Sequence, residues 1–269
     1  MSLRINSNVD ALGSYNKLTY TSSAVSKSME RLSSGYRVNG AADDSAGLSI
    51  SERMRGQIRG LAQATANIGD AVSFVQTAEA NLGEVHGMLQ RVRELAVQYK
   101  NGSLSTTDQG AIQSEVNQLA SEISRIGTSA KFNGISLLST AATVTFQVGA
   151  NDGDTITAAT ISLGTALGTS YNVLTAAGTQ DLSEIDTAIN AISDQRAIYG
   201  AVQNRLEYAA NAQKSYHENL VAAESRIRDV DMAQEMVSLT KNQVLAQAGT
   251  AMLAQANQGP QSVLSLIQQ

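Results

Sequence analysis

Apolar residues recur through the first half of the chain with a period that predicts one very long helix. With Leu61 at heptad position a and Ala64 at d, the pairs run Leu61/Ala64, Ile68/Ala71, Val75/Ala78, Leu82/Val85, Leu89/Val92 and Ala96/Tyr99. All twelve positions are apolar or aromatic, and no proline interrupts them. Six heptads with such a seam describe a coiled-coil helix. At 1.5 Å per residue the segment 44–99 would reach roughly 84 Å. That exceeds a compact domain of this size, so the pattern predicts a rod. Ile58 and Val72 widen the stripe on one side, and Phe74, Met88 and Leu95 on the other. A stripe of that width calls for two or more neighbours.

The remaining elements follow from the same bookkeeping of positions. Residues 5–32 read as a first helix, with Ile5, Val9 and Leu12 on one face and Leu18, Val25, Met29 and Leu32 continuing a stripe up to a C-cap at Gly35. A loop over 33–42 follows, and Asp43 or Asp44 caps the long helix. Residues 101–108 form a turn and an N-cap. Ile112, Val116, Leu119, Ile123 and Ile126 then mark a third helix that folds back antiparallel on the long one. Val144, Phe146 and Val148 alternate with Thr145 and Gln147. The turn residues 149–154 come next, and Ile156 and Ile161 suit a return strand, together a β-hairpin. Residues 163–180, rich in Gly, Thr and Ala, read as a loop.

A second long helix starts at Asp181. Its pairs are Ile185/Ala188, Ile192/Gln195, Tyr199/Val202, Leu206/Ala209, Gln213/Tyr216, Leu220/Ala223 and Ile227/Val230, where only Gln195 and Gln213 break the seam. The expected fold is mainly α: an elongated rod of long antiparallel coiled-coil helices with a small β-hairpin region. The N- and C-terminal helices pair at one end.

The last stretch is the most unusual. Residues 242–269 carry no charge, yet Val244, Leu245, Met252, Leu253, Val263, Leu264, Leu266 and Ile267 run through them. One reading buries this helix in the chain's own core. The sharper one makes it adhesive, covered only when identical subunits meet, with the first helix and its Ile5, Val9 and Leu12 as partner. A heterologous interface at one end of a rod generates a ring or an open helical filament.

Composition narrows the function classes. Aromatic content is 4% and the single proline is Pro260, as suits uninterrupted helices. A formal net charge of −5 gives no reason to expect nucleic acid. There is no cysteine, so disulfides and thiolate metal sites are excluded. No apolar run approaches the ~18–20 residues of a membrane span, and the first residues lack the apolar core of a secretory signal. By that criterion alone the expectation is a cytosolic protein. His86 and His217 sit among polar residues in the long helices, and Arg53, Arg55 and Arg59 read as inter-helix ion-pair residues. HExxH, GxSxG and P-loop motifs are missing, so neither enzyme, metal nor cofactor is expected.

Several long motifs resemble bacterial flagellins. They are RLSSG (31–35) with NGAADDSAGL (39–48), LQRVRELAVQ (89–98), FNGISLL (132–138), FQVGANDGDTI (146–156), RIRDVDMAQEM (226–236) and QAGTAMLAQANQGPQSVLSLI (247–267). The resemblance implies an inner filament core (D0) from residues 1–40 and 231–269. It also implies a surrounding rod (D1) from 41–180 and 181–230, with no outer domain. It further implies a self-assembling filament subunit for swimming, exported unfolded by the flagellar type III system. The destination is then secreted and extracellular, which replaces the cytosolic expectation. The implied partners are other copies of the chain, an export chaperone on the C-terminal helix, the filament cap and junction proteins, and a host Toll-like receptor that binds monomer through Arg91, Leu95 and Glu115. The alternative within the same architecture is a hook–filament junction protein.

Overall fold

The long seam is buried where the heptads place it. In the computed structural model, which describes residues 8–168, 171–174 and 181–267 with side chains in the last helix up to residue 258, eleven of its twelve positions are buried and Tyr99 is half-buried. By internal contacts the chain divides into two units, Gln57–Asn219 and the combination of Met1–Gly56 with Leu220–Gln269.

The larger unit is built on α2 (Ser45–Tyr99), α3 (Thr106–Ser129) and α5 (Asp181–Arg228). Ser105 and Asp108 form a capping box that starts α3: the Ser105 hydroxyl accepts from the Asp108 N–H, and the Asp108 carboxylate accepts from the Ser105 N–H. Arg91 pairs with Glu115, and the Gln109 side chain donates to the Tyr99 carbonyl, so α3 runs antiparallel to α2. Glu79 and Arg93 of α2, and Lys100 just past its end, meet Arg196, Asp186 and Asp181 of α5. Numbers rise on one helix as they fall on the other, the antiparallel order that the paired seams predict. Ile185, Ala188, Ile192, Tyr199, Val202 and Leu206 carry the α5 seam into the core.

Gln195 breaks the seam in sequence but not in space. It is buried, and its Nε2 donates to the Ala159 carbonyl at 2.8 Å, fastening α5 to the hairpin. Beyond Leu206 the seam loses cover: Ala209 and Gln213 are half-buried, and Tyr216 is exposed.

Two hairpins pack on α2. The expected one pairs β3 (Thr143–Gln147) with β4 (Thr155–Ala159), Phe146 opposite Ile156. Ile161 lies beyond the return strand. The other, absent from the sequence expectation, pairs β1 (Lys131–Phe132) with β2 (Ile135–Ser136). Its turn residues Asn133 and Gly134 both have positive φ, 49° and 81°, the geometry of a two-residue hairpin turn. Phe74 of α2 stands edge-on to Phe132 and Phe146, with centroids 5.8 and 5.4 Å away. Within the segment expected as loop, Leu163–Ala166 forms one helical turn, α4, whose Leu163 lies against Gly127 of α3.

The smaller unit pairs α1 (Val9–Ser34) with α6 (Met232–Ile267). The Asn8 side chain caps α1, and Gly35 ends it in the left-handed region at φ 75°. Asp231 caps α6 by accepting from the N–H groups of Ala233 and Gln234. Asn8 donates to the Ala256 carbonyl, Leu18 lies beside Gly249, and Arg31 faces Glu235 at 3.7 Å. These contacts run antiparallel along the pair.

Candidate functional site

The α1–α6 pair covers only part of its apolar surface and leaves more of it outside. The side chains turned toward the partner helix are mostly small or polar: Asn8, Ala11, Ser14, Thr21 and Ser28 from α1, Asn242, Ala246, Gly249 and Ala256 from α6. Leu18, Val25, Leu32, Leu239 and Leu253 are half-buried beside them, while most of the bulky apolar side chains are exposed. Leu12 is 60% and Met252 62% exposed, and Val9, Tyr15, Tyr20, Met29, Val237, Val244 and Leu245 are exposed with them. A groove of about 610 Å³ runs beside the pair, lined by Leu18, Tyr20, Leu245 and Met252. Burying a side chain of this size stabilises by roughly 1.5–3 kcal/mol. A face with this many of them has a strong drive to be covered.

That geometry bears on both readings of the charge-free helix. Among the described residues named for this helix, Val244, Leu245 and Met252 are exposed and Leu253 is half-buried, so none of them lies in the chain's own core. Ile5 and the side chains of Val263, Leu264, Leu266 and Ile267 lie outside the described residues. Tyr15, Tyr20, Met29 and Val237 extend the face beyond the residues that the sequence singles out for it. Their signal is available there, since each is a bulky apolar residue in one of these two helices.

The linkers entering and leaving this pair are stitched together. Tyr36 and Asp229 form an isolated β-bridge, Val230 N–H donates to the Gly35 carbonyl, and the Arg37 guanidinium reaches the Ile227 carbonyl at 2.6 Å. Arg228 lies 4.6 Å over the Tyr36 ring and pairs with Glu52 at 3.0 Å. Desolvation pushes the Glu52 carboxyl upward, but the hydrogen bonds from Arg228 and Arg55 outweigh it and hold the group below its usual range. Arg55 therefore pairs on its own helix, and the cation that reaches Glu52 from another helix is Arg228 of α5 rather than one of the expected Arg53, Arg55 and Arg59. Asp43 binds Lys27 at 2.6 Å and accepts from the Asn39 and Gly40 N–H groups, which holds its carboxyl below the usual aspartate value. Asp44 is the residue that caps α2, accepting from the Gly47 N–H.

In the larger unit Arg91 and Glu115 come together as expected. The Arg91 Nε and one terminal nitrogen both donate to Glu115 Oε1, at 3.0 and 2.9 Å, and the other terminal nitrogen donates to Glu94. Glu115 first and then Glu94 raise the Arg91 pKa above its ordinary value. Leu95, the third residue that the resemblance names, does not stand at the surface beside Arg91 and Glu115. It is 2% exposed, packed in a cluster with Ile112, Val116 and Ile185, because α3 and α5 close over that side of α2.

No chemistry of catalysis gathers among the described residues of this frame. His86 is half-buried with Nε2 2.9 Å from the Gln90 amide, and His217 is half-buried. Among the described residues no cluster of three metal-donor side chains exists, and no helix is long and apolar enough to cross a membrane.

Residues 5–143 match the family model of the bacterial flagellin N-terminal helical region, and 182–267 match that of the C-terminal helical region. The chain belongs to the bacterial flagellin family. Flagellins are structural proteins of the flagellar filament and not enzymes. A flagellin of Bacillus subtilis (strain 168) is 47% identical over 303 residues, covering 98% of this chain and 100% of that one. The flagellar filament 33 kDa core protein of Treponema phagedenis is 46% identical over 292 residues, covering 98% and 99%. The crystal structure of Bacillus cereus flagellin aligns with a TM-score of 0.51 at 34% identity, over 59% of this chain and 94% of that one. Only the β3–β4 hairpin, α4 and the residues around them separate the two matched halves, so this flagellin is a short form without a middle domain.

Proposed function

We propose that this flagellin is exported unfolded by the flagellar type III system and polymerises outside the cell into the swimming filament. The terminal segments 1–40 and 231–269 form its inner core, and 41–180 with 181–230 form the layer around it. The observation that carries this reading is the α1–α6 pair, most of whose bulky apolar side chains are exposed in the single chain. Before export, a chaperone covers residues 242–269. At the ends of the filament the same face meets the cap and junction proteins. The test is electron microscopy of purified protein before and after a precipitant, beside a chain ending at Lys241. Filaments from the full chain and monomers from the shortened one are expected. Filaments from both would reject assembly through α6. A full chain that never polymerises would favour the hook–filament junction alternative.

A second role belongs to the monomer. The Arg91–Glu115 pair is exposed on the larger unit and offers a charged, hydrogen-bonding patch to a host Toll-like receptor. Leu95, beneath it, holds the two helices in register. Arg91→Ala monomer is expected to activate the receptor at least about tenfold less well than wild type. Equal activation would remove Arg91 from the contact.

A further inference from the structure

Two features of the larger unit find no partner within it. The first is a groove of about 490 Å³ between α2 and the two hairpins. Its floor is Phe74, its walls are the half-buried Phe132 and Phe146, and Ile135 stands 45% exposed at its lip. Every phenylalanine of the chain therefore lines one opening. On the rim Asp70 is exposed and makes no ion pair or hydrogen bond among the described residues. The second feature is a ridge on α5. Tyr208 is 76% exposed, more than any other large apolar or aromatic side chain described in this unit. Arg205 lies one turn before it on the same face, exposed and likewise without an ion pair or hydrogen bond among the described residues. Ala201 and Ala212, both exposed, leave the ridge standing clear at either end.

We infer that the Tyr208–Arg205 ridge of one copy docks in the phenylalanine groove of the next, with Arg205 pairing to Asp70. This rests on the filament reading and adds one specific lateral contact to it. Charge and shape agree. The groove offers aromatic edges and faces at which a tyrosine ring packs, and its single rim carboxylate matches the planar fork of an arginine. Groove and ridge are different surfaces, so the contact is heterologous and propagates from copy to copy, as an open helical polymer requires. A cap protein or a receptor in the groove would leave Arg205 without a role.

The test is charge reversal, read by sedimentation and electron microscopy of the full chain. Wild type growing filaments in the same assay keeps a failure of this pairing distinct from a failure of the filament reading. Asp70→Arg and Arg205→Asp are each expected to raise the concentration needed for growth at least about tenfold, because like charges then face one another. Both positions are exposed, so monomer helicity stays unchanged. Growth is expected to return in the double variant. It is also expected to return in an equimolar mixture of the two single variants, where the introduced guanidinium of one chain meets the introduced carboxylate of the other. Single variants that polymerise like wild type would overturn the proposal. So would a failure of both rescues. Rescue in the double variant but not in the mixture would place the pair within one chain, and that also rejects it.

Discussion

Replacing Phe74 by alanine is expected to destabilise the larger unit by about 3–5 kcal/mol, the range for removing a buried aromatic from a packed core. Phe74 is fully buried and belongs to α2, yet it touches both hairpins through Phe132 and Phe146. The lost burial and the cavity left behind supply most of the effect. The two edge-on ring contacts add about 0.5–1.5 kcal/mol each. Strands β1 and β2 are two residues long and cannot hold their place by backbone pairing alone. They should therefore loosen first. Urea unfolding measures the total, and amide exchange at Phe132 and Phe146 reports the hairpins. A change below about 1 kcal/mol would mean that the hairpins are held by something other than this ring.

The second expected effect falls on the terminal pair. A Cβ placed on Gly249 would stand 3.3 Å from the Leu18 Cδ1, so any side chain there requires Leu18 to give way. Gly249→Leu must push Leu18 aside or part the helices, an overpacking cost of about 1–3 kcal/mol. The pair has only a thin core to resist, since most of its bulky apolar residues are exposed and Leu18, Val25, Leu32, Leu239 and Leu253 are no more than half-buried. Filament growth should be lost while the melting of the larger unit is unchanged. Amide exchange across Val9–Ser34 should quicken. Normal filaments from this variant would show that close approach of α1 and α6 is not required for assembly.

The long helices are legible in the sequence because their signal is local and periodic. Leu61 through Ala96 need only heptad spacing to be placed in the core. Gln195 reads as a flaw in the second seam, since its partner is the Ala159 carbonyl, a contact between distant parts of the chain. The β1–β2 hairpin carries a sound turn signal in Asn133-Gly134, but its strands are too short to alternate. Leu95 is read both as a shoulder of the stripe and, through the resemblance, as a receptor contact. A residue on the shoulder of a wide stripe is exposed or buried according to how many helices close over it, and two do. At the terminal pair the absence of charge over 242–269 is legible at once and motivates the reading of an adhesive helix. Which side of it faces outward depends on the small residues of α1 that it meets, and only the paired geometry gives that. The Tyr36–Arg228–Glu52 linkage likewise joins residues far apart in sequence, and no local pattern announces it.

The central claim is that the outward apolar face of the α1–α6 pair drives polymerisation, and truncation tests it only by removing the helix as well. Two point charges test the face itself. Val244→Lys with Met252→Lys changes side chains that are exposed in the single chain and spares the inward contacts of Asn242, Ala246 and Gly249. Sedimentation after adding precipitant is the measurement to make. The account predicts a soluble monomer of unchanged helicity that does not grow filaments at any concentration where wild type does, because burying two unpaired ammonium groups is prohibitive. Filaments forming at the wild-type concentration would contradict it.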